Sequence, residues 1–229
     1  MTLHAREIQD NLRRVQADLA AAAERAGRDP ADVRLLAVSK TMPAAAVQAA
    51  YDAGHRAFGE NRSEEIHTKR PALPADIHWH MIGTLQSRQA ADAVPAALIH
   101  SVDRAKLLPR LATAAAEHGL VQDILLQVNV SGEASKSGVS PDAAEALLLA
   151  VLAQPNLRCR GLMTMAPFEA DEATLHRVFA GLRTCRDRLQ TAAGVALPEL
   201  SMGMSGDYPI AVAEGATLVR IGTAIFGHR

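Results

Sequence analysis

Apolar residues at Ile8, Leu12, Val15 and Leu19 recur with the 4-3-4 spacing of one helical face, and the pattern stops near Gly27. This spacing predicts an N-terminal helix within residues 1–28. Beyond it the period changes. Short apolar runs, turn residues and alanine-rich amphipathic stretches then alternate to the end of the chain. Eight runs are predicted as strands: Val33–Val38, Arg56–Phe58, Ile77–Ile82, Ala97–Ser101, Ile124–Val130, Leu157–Met163, Pro198–Met202 and Thr217–Ile221. Helical stretches are predicted between them at Ala44–Ala53, Arg104–Glu117, Ala143–Leu152 and Leu175–Thr191. Apolar runs separated by helices describe parallel strands joined by right-handed crossovers, and eight of them fit a closed (β/α)8 TIM barrel. The expected architecture is therefore a single α/β domain over 1–229, with the helix of 1–28 packed on the barrel. An open doubly wound sheet is the alternative, and it is disfavoured because no GxGxxG follows the first strand.

Composition narrows the chemistry. The chain of 229 residues is long enough for a large core, and 24 Lys+Arg against 25 Asp+Glu leave a net charge of -1. No global basic field is available for nucleic acid or an anionic membrane. The longest apolar stretches, such as Ala143–Ala153, are too short to span a bilayer, and the N-terminus mixes Arg6, Glu7 and Asp10 without a secretory core. A soluble, cytoplasmic protein is expected. Cys159 and Cys185 lie far apart and form neither a CxxC nor a Cys/His cluster, so both are expected as buried small hydrophobes.

In a barrel of this kind chemistry belongs at the carboxyl ends of the strands. The residues there are Lys40, then Gly59-Glu60-Asn61, Gly83-Thr84, Asp103, Asn129, Met163-Thr164-Met165, Ser201 to Ser205, and Arg220 with Gly222-Thr223. One lysine, one arginine and several small polar groups thus share a rim that is poor in metal ligands. Lys40 closes the apolar run "LLAVSK". A solvated end-marker is the plain reading of such a lysine; an amine held in a dry pocket as a nucleophile is the sharper one. In "SMGMSGDYP" and "VRIGTAIFG" serines, glycines and a threonine stand where strands seven and eight turn into short helices, so backbone N–H groups can converge on an anion. Each motif alone reads first as a helix cap, whereas two at adjacent strand ends point to a phosphate cup. Alternation along the eighth strand puts Arg220 on the same face as Gly222, pointing inward, where it needs an acceptor such as a cofactor ring nitrogen. Lysine, phosphate cup and inward arginine together outline pyridoxal 5'-phosphate (PLP) held as a Schiff base on Lys40, which requires a neutral amine.

The segments "AVSKTMP", "FGENR", "HWHMIGTLQSRQA", "VNVSGEASKSG", "LRCRGLMTMAP", "LSMGMSGDY" and "VRIGTAIFG", in order from about Val33 onward, resemble the pyridoxal phosphate homeostasis protein family. The resemblance implies an alanine-racemase N-terminal-domain-like barrel that binds PLP without known catalytic turnover and takes part in vitamin B6 homeostasis. By the same resemblance Lys40 carries the cofactor, and Ser205, Gly222 and Thr223 hold the phosphate. Arg220 then faces the ring nitrogen, while Asn61, His80, Met163 and Ser201 line the pocket. Gly206 departs from the pattern, which has an acidic residue there; a glycine leaves a backbone anion nest intact.

A PLP-dependent racemase or decarboxylase is the second reading, and a class I aldolase acting on a phosphosugar the third. Related racemases place a tyrosine opposite the lysine from a separate domain, and here the tyrosines are Tyr51, expected on the first crossover helix, and Tyr208, just past the phosphate loop. Proton exchange on two faces of a substrate carbon would lack one donor. An arginine against the ring nitrogen also weakens the electron sink. PLP-dependent apo-enzymes are the expected recipients and a monomer the expected state. His78 and His80 share a strand face and read as one rim residue and one packed histidine before they read as metal ligands. Lys136, in a polar glycine-bounded loop, reads as hydrated or as part of a lid, and Arg183, Arg186 and Arg188 as a solvated helix face.

Overall fold

The computed structural model describes residues 4–133 and 136–227, so the termini of the expected 1–229 domain and residues 134–135 lie outside the described residues. The first element, α1 (Ala5–Arg25), buries Ile8, Leu12, Val15 and Leu19 along the predicted face, extended by Ala22 and Ala23. Its start is fixed by a capping box in which the His4 N–H donates to Glu7 Oε2 at 2.7 Å.

The chain then runs β1 (Arg34–Val38), α2 (Ala44–Asp52), β2 (Ala57–Glu60), α3 (Ser63–Lys69), β3 (His78–Met81), β4 (Leu98–Val102), α4 (Leu108–Glu117) and β5 (Gln122–Gln127). It continues through α5 (Ala144–Leu152), β6 (Leu157–Met163), α6 (Glu172–Ala193), β7 (Glu199–Ser201), α7 (Tyr208–Ala213), β8 (Leu218–Ile221) and α8 (Thr223–Phe226). All strand pairs are parallel in sequence order, and β1 pairs with β8 with Leu36 opposite Arg220, which closes the barrel. The (β/α)8 expectation holds.

Alternation along the strands divides the core in two. Leu36, Leu98, Leu125, Met163 and Leu218 fill the barrel interior. Residues of opposite parity, such as Ala37, Phe58, Ile99, Leu126 and Val219, belong to the larger core that includes the helices. The helix α1 packs on α2, α7 and α8. Asn11 Nδ2 donates to Ile225 O at 3.1 Å, and Arg28 donates to Val212 O and Ala216 O, both at 2.8 Å, tying the helix and its exit to the last two crossovers.

The differences from expectation have physical causes. The fifth strand starts at Gln122 instead of Ile124 because the buried Gln122 amide pairs with Ala96 N–H and O at 3.1 and 2.8 Å, a polar start that apolar patterning does not register. The predicted strands do not reveal α3, whose sequence SEEIHTK offers a single large apolar residue. Two 3₁₀ turns, Ser87–Gln89 and Ala91–Ala93, replace a crossover helix between β3 and β4. The arginines of α6 are more than a solvated face. Arg183 pairs with Glu214 at 2.8 Å, and Arg188 donates to Pro141 O at 2.6 Å. Both cysteines are free and buried as expected, and burial lifts the Cys159 thiol to about 11 and raises that of Cys185.

Leu12 is fully buried and packs into the large core. Leu12→Ala is expected to lower stability by about 2–4 kcal/mol in urea denaturation. Breaking the exposed Arg13–Asp10 pair with Arg13→Ala should change it by less than about 1 kcal/mol.

Candidate functional site

At the carboxyl end of β1 the chain turns at once. Ser39 N–H donates to Gly59 O at 3.1 Å, and Met42 N–H returns to Ser39 O at 3.0 Å, closing a turn with Lys40 and Thr41 at its centre. Thr41 holds φ 63, a left-handed conformation that few residues other than glycine adopt. This turn puts the half-buried Lys40 on the wall of a cleft of about 810 Å³. Asn61, Met163, Ser205, Arg220, Gly222 and Thr223 line the same cleft, so residues singled out from five strand ends converge. That size is ordinary for a small-molecule site.

The loops after β7 and β8 form one side. Met204 N–H donates to Asp207 Oδ1 at 2.5 Å, and the N–H groups of Asp207 and Tyr208 return to Met204 O at 3.2 and 2.9 Å. Ser205 and Gly206 are thereby presented to the cleft ahead of α7. At Gly222 a Cβ would fall 3.1 Å from Val38 O, so glycine lets the end of β8 lie against β1. Opposite, a Cβ on Gly83 would fall 2.0 Å from Asn61 O; only a glycine permits this approach of the β2 and β3 ends.

The floor is polar and ordered. Arg220, 5% exposed, donates through Nη1 to Ser201 O and Oγ at 2.8 Å each, and through Nη2 to Thr164 O at 2.9 Å. Ser201 Oγ lies 2.9 Å from His100 Nδ1, and His100 Nε2 lies 2.9 Å from His80 Nδ1. A guanidinium only donates, so the Ser201 hydroxyl hydrogen is available to His100, and the His100 Nε2–H in turn points to His80. Burial holds both rings neutral, with His80 lowered to about 3 and His100 well below the usual value. Burial also lowers Arg220 to about 10, an effect opposed by the Asp207 carboxylate.

His80 and Ser201 thus sit beneath the lining of the cleft and reach it through Arg220. Met163 contributes an apolar wall with Ile82, Met165 and Pro167, and Phe168, 86% exposed, stands at its rim. His100 is the residue that strand-end reasoning did not single out, and Thr164, named there only as part of the sixth strand end, holds Arg220 through its carbonyl. A histidine inside the run LIHSV was the available signal for His100. Asp103 pairs with Arg104 at 2.5 Å, and Asn129 folds its own loop by donating to Glu133 O at 2.9 Å and Lys136 O at 3.3 Å. His78 is exposed, and no group of metal-ligating side chains occurs among the described residues. Likewise, no helix among them is long and apolar enough to cross a membrane.

The fold and the lysine-bearing mouth define a barrel of the racemase type, and residues 10–229 match the family described as the alanine racemase N-terminal domain. The chain is 48% identical over 225 residues to the pyridoxal phosphate homeostasis protein of Pseudomonas aeruginosa, covering 97% of this chain and 96% of that one. It is similar to PipY of Synechococcus elongatus, solved with PLP bound, at 41% identity and a TM-score of 0.85, covering 96% of this chain and 100% of that one. An alanine racemase of Clostridium difficile shares the fold at 14% identity and a TM-score of 0.73, with 96% of this chain matched to 57% of the enzyme. The chain belongs to the alanine racemase N-terminal domain family and, within it, to the pyridoxal phosphate homeostasis proteins.

The buried histidines make stability depend on pH. Below pH 6.5 the unfolded chain takes up a proton at His80 that the folded protein refuses until about pH 3, so the contribution present above 6.5 is lost as pH falls. Relative to His80→Gln, the wild type should lose about 1.4 kcal/mol per pH unit between pH 6 and 4.5 in urea titrations. The paired comparison separates His80 from Glu60, which burial raises to about 7 and which slopes the opposite way.

Proposed function

We propose that this protein binds pyridoxal 5'-phosphate in the cleft, holds it covalently on Lys40 and releases it to PLP-dependent apo-enzymes, serving vitamin B6 homeostasis without turnover of its own. The observation that carries the reading is the convergence of Lys40, the Ser205 and Gly222-Thr223 loops and the buried Arg220 on one cleft. When bound, the cofactor supplies an aldehyde that condenses with a neutral lysine amine, with loss of water. The residues present suit that group. Ser205, Gly222 and Thr223 offer hydroxyls and backbone amides to a phosphate. Arg220 is held by Ser201 and Thr164 at the floor, where it can donate to an unprotonated ring nitrogen. Asn61 and Met163, which line the same cleft, would flank the ring. Family membership and the PLP-bound relative support the same reading.

The groups around the cleft support holding rather than converting. Racemization needs a second acid/base group on the far face of the substrate. Tyr51 lies on α2, where its hydroxyl donates to Asp76 at 2.7 Å and the Arg56 guanidinium covers its ring at 3.7 Å. Tyr208 opens α7, and neither tyrosine lines the cleft. Of the carboxylates that do, Asp207 is taken up by Met204 N–H and Glu169 is exposed on a loop.

Protein mixed with PLP should develop the violet absorption of a lysine-bound cofactor, bleached by borohydride and lost in Lys40→Ala. In deuterated water with L-amino acids, α-carbon exchange should stay at the rate of free PLP. Exchange at enzymic rates would replace this reading with the racemase one.

A further inference from the structure

Behind Lys40, on the outer side of the barrel wall, lies a buried charged cluster that the cofactor reading does not use. Glu60, the last residue of β2, is fully buried, and Lys69, the last residue of α3, is 7% exposed. Lys69 Nζ donates to Glu60 Oε1 at 2.8 Å, to Ser39 O at 3.0 Å and to Glu65 Oε2 at 3.2 Å. Ser39 Oγ donates to the same Glu60 oxygen at 2.6 Å, while Glu60 Oε2 is buried with no hydrogen-bond partner. Glu65 Oε2 also accepts from Thr41 N–H at 2.6 Å.

The contacts fall on the residues flanking Lys40. Ser39 is held at its carbonyl and its hydroxyl, and Thr41 at its amide. A buried ion pair costs desolvation that an apolar pair would avoid, so its presence calls for a reason other than stability. The strained backbone supplies one. A threonine at φ 63 persists only where its surroundings over-determine it, and the Glu65 bond to the Thr41 amide does so. Despite partial burial, the bonds from Thr41 and Lys69 hold the Glu65 carboxyl below its ordinary value, which keeps the acceptor charged.

We propose that Glu60, Glu65 and Lys69 are positioning residues that lock the Ser39–Met42 turn so that the Lys40 amine is presented to the cofactor aldehyde. The cluster acts on the covalent linkage alone, and not on the phosphate cup or the ring floor. This proposal rests on the function proposed above. It predicts a separation between two ligands of nearly equal shape: PLP, which can link to the lysine, and pyridoxine 5'-phosphate, whose alcohol cannot.

The test measures both dissociation constants, the first from the violet band and the second by competition or calorimetry, in wild type, Glu65→Ala, Glu65→Gln and Ser39→Ala. Glu65 is partly exposed and Ser39 is small, so both substitutions are compatible with folding, checked by circular dichroism. Glu65→Ala should weaken PLP binding about tenfold, the equivalent of one lost charge-assisted hydrogen bond, and leave pyridoxine 5'-phosphate within about twofold. Ser39→Ala should move in the same direction, and Glu65→Gln, which keeps an oxygen for Thr41 N–H, should recover most of the loss. Unchanged PLP affinity in Glu65→Ala, or equal losses for both ligands, would overturn the positioning role and leave the cofactor reading standing. A wild type that shows no lysine-dependent band would instead remove the cofactor reading, and this proposal with it.

Discussion

The closure of the sheet between its first and last strands is the constraint on which the site depends. Pairing Leu36 with Arg220 and Ala37 with Ile221 fixes how far β1 and β8 extend past one another. The lysine two residues beyond β1 and the Gly222-Thr223 loop beyond β8 therefore open on one cleft, although 180 positions separate Lys40 from Arg220. The register is strict because a slip of one residue would exchange interior and exterior faces, sending Arg220 into the shell of helices. Gly222 belongs to the same constraint, since its missing side chain admits Val38 of the neighbouring strand.

Inside that frame, polar groups are placed in a graded way. The barrel interior is filled by aliphatic and thioether side chains, yet one face carries a chain of hydrogen bonds from His80 through His100 and Ser201 to Arg220. The rings are neutral and the guanidinium is the one charge in that chain, so donor directions run away from it without ambiguity. An arginine fixed by three oxygen acceptors in advance of a ligand has lost its rotamer freedom during folding, which reduces the ordering cost at binding.

Most of this was legible in the residues. The eight apolar runs, the lysine after the first and the glycine-bearing loops after the last two carried both the fold and the convergence, because burial on both faces of a parallel strand leaves a strong pattern. What stayed hidden was carried by polar atoms. The seven residues of α3 bury Ile66 but otherwise read as solvated, and the Glu65 and Lys69 that bracket the Lys40 turn read as surface charge. The start of β5 was masked because Gln122 is buried through paired amides. The depth of His80 and Ser201 also depended on strand stagger, which sequence spacing does not encode.

The two cysteines gain meaning from the chemistry proposed for the cleft. A protein that handles a reactive carbonyl exposes its own sulfur nucleophiles to it, and thiolates add to such carbons readily. With one sulfur pushed up to about 11 and the other shielded in the same direction, both remain protonated and out of reach at neutral pH. Neither sulfur is then poised to trap such a carbonyl as a thiohemiacetal, and under the proposed function attachment and release would both run through nitrogen.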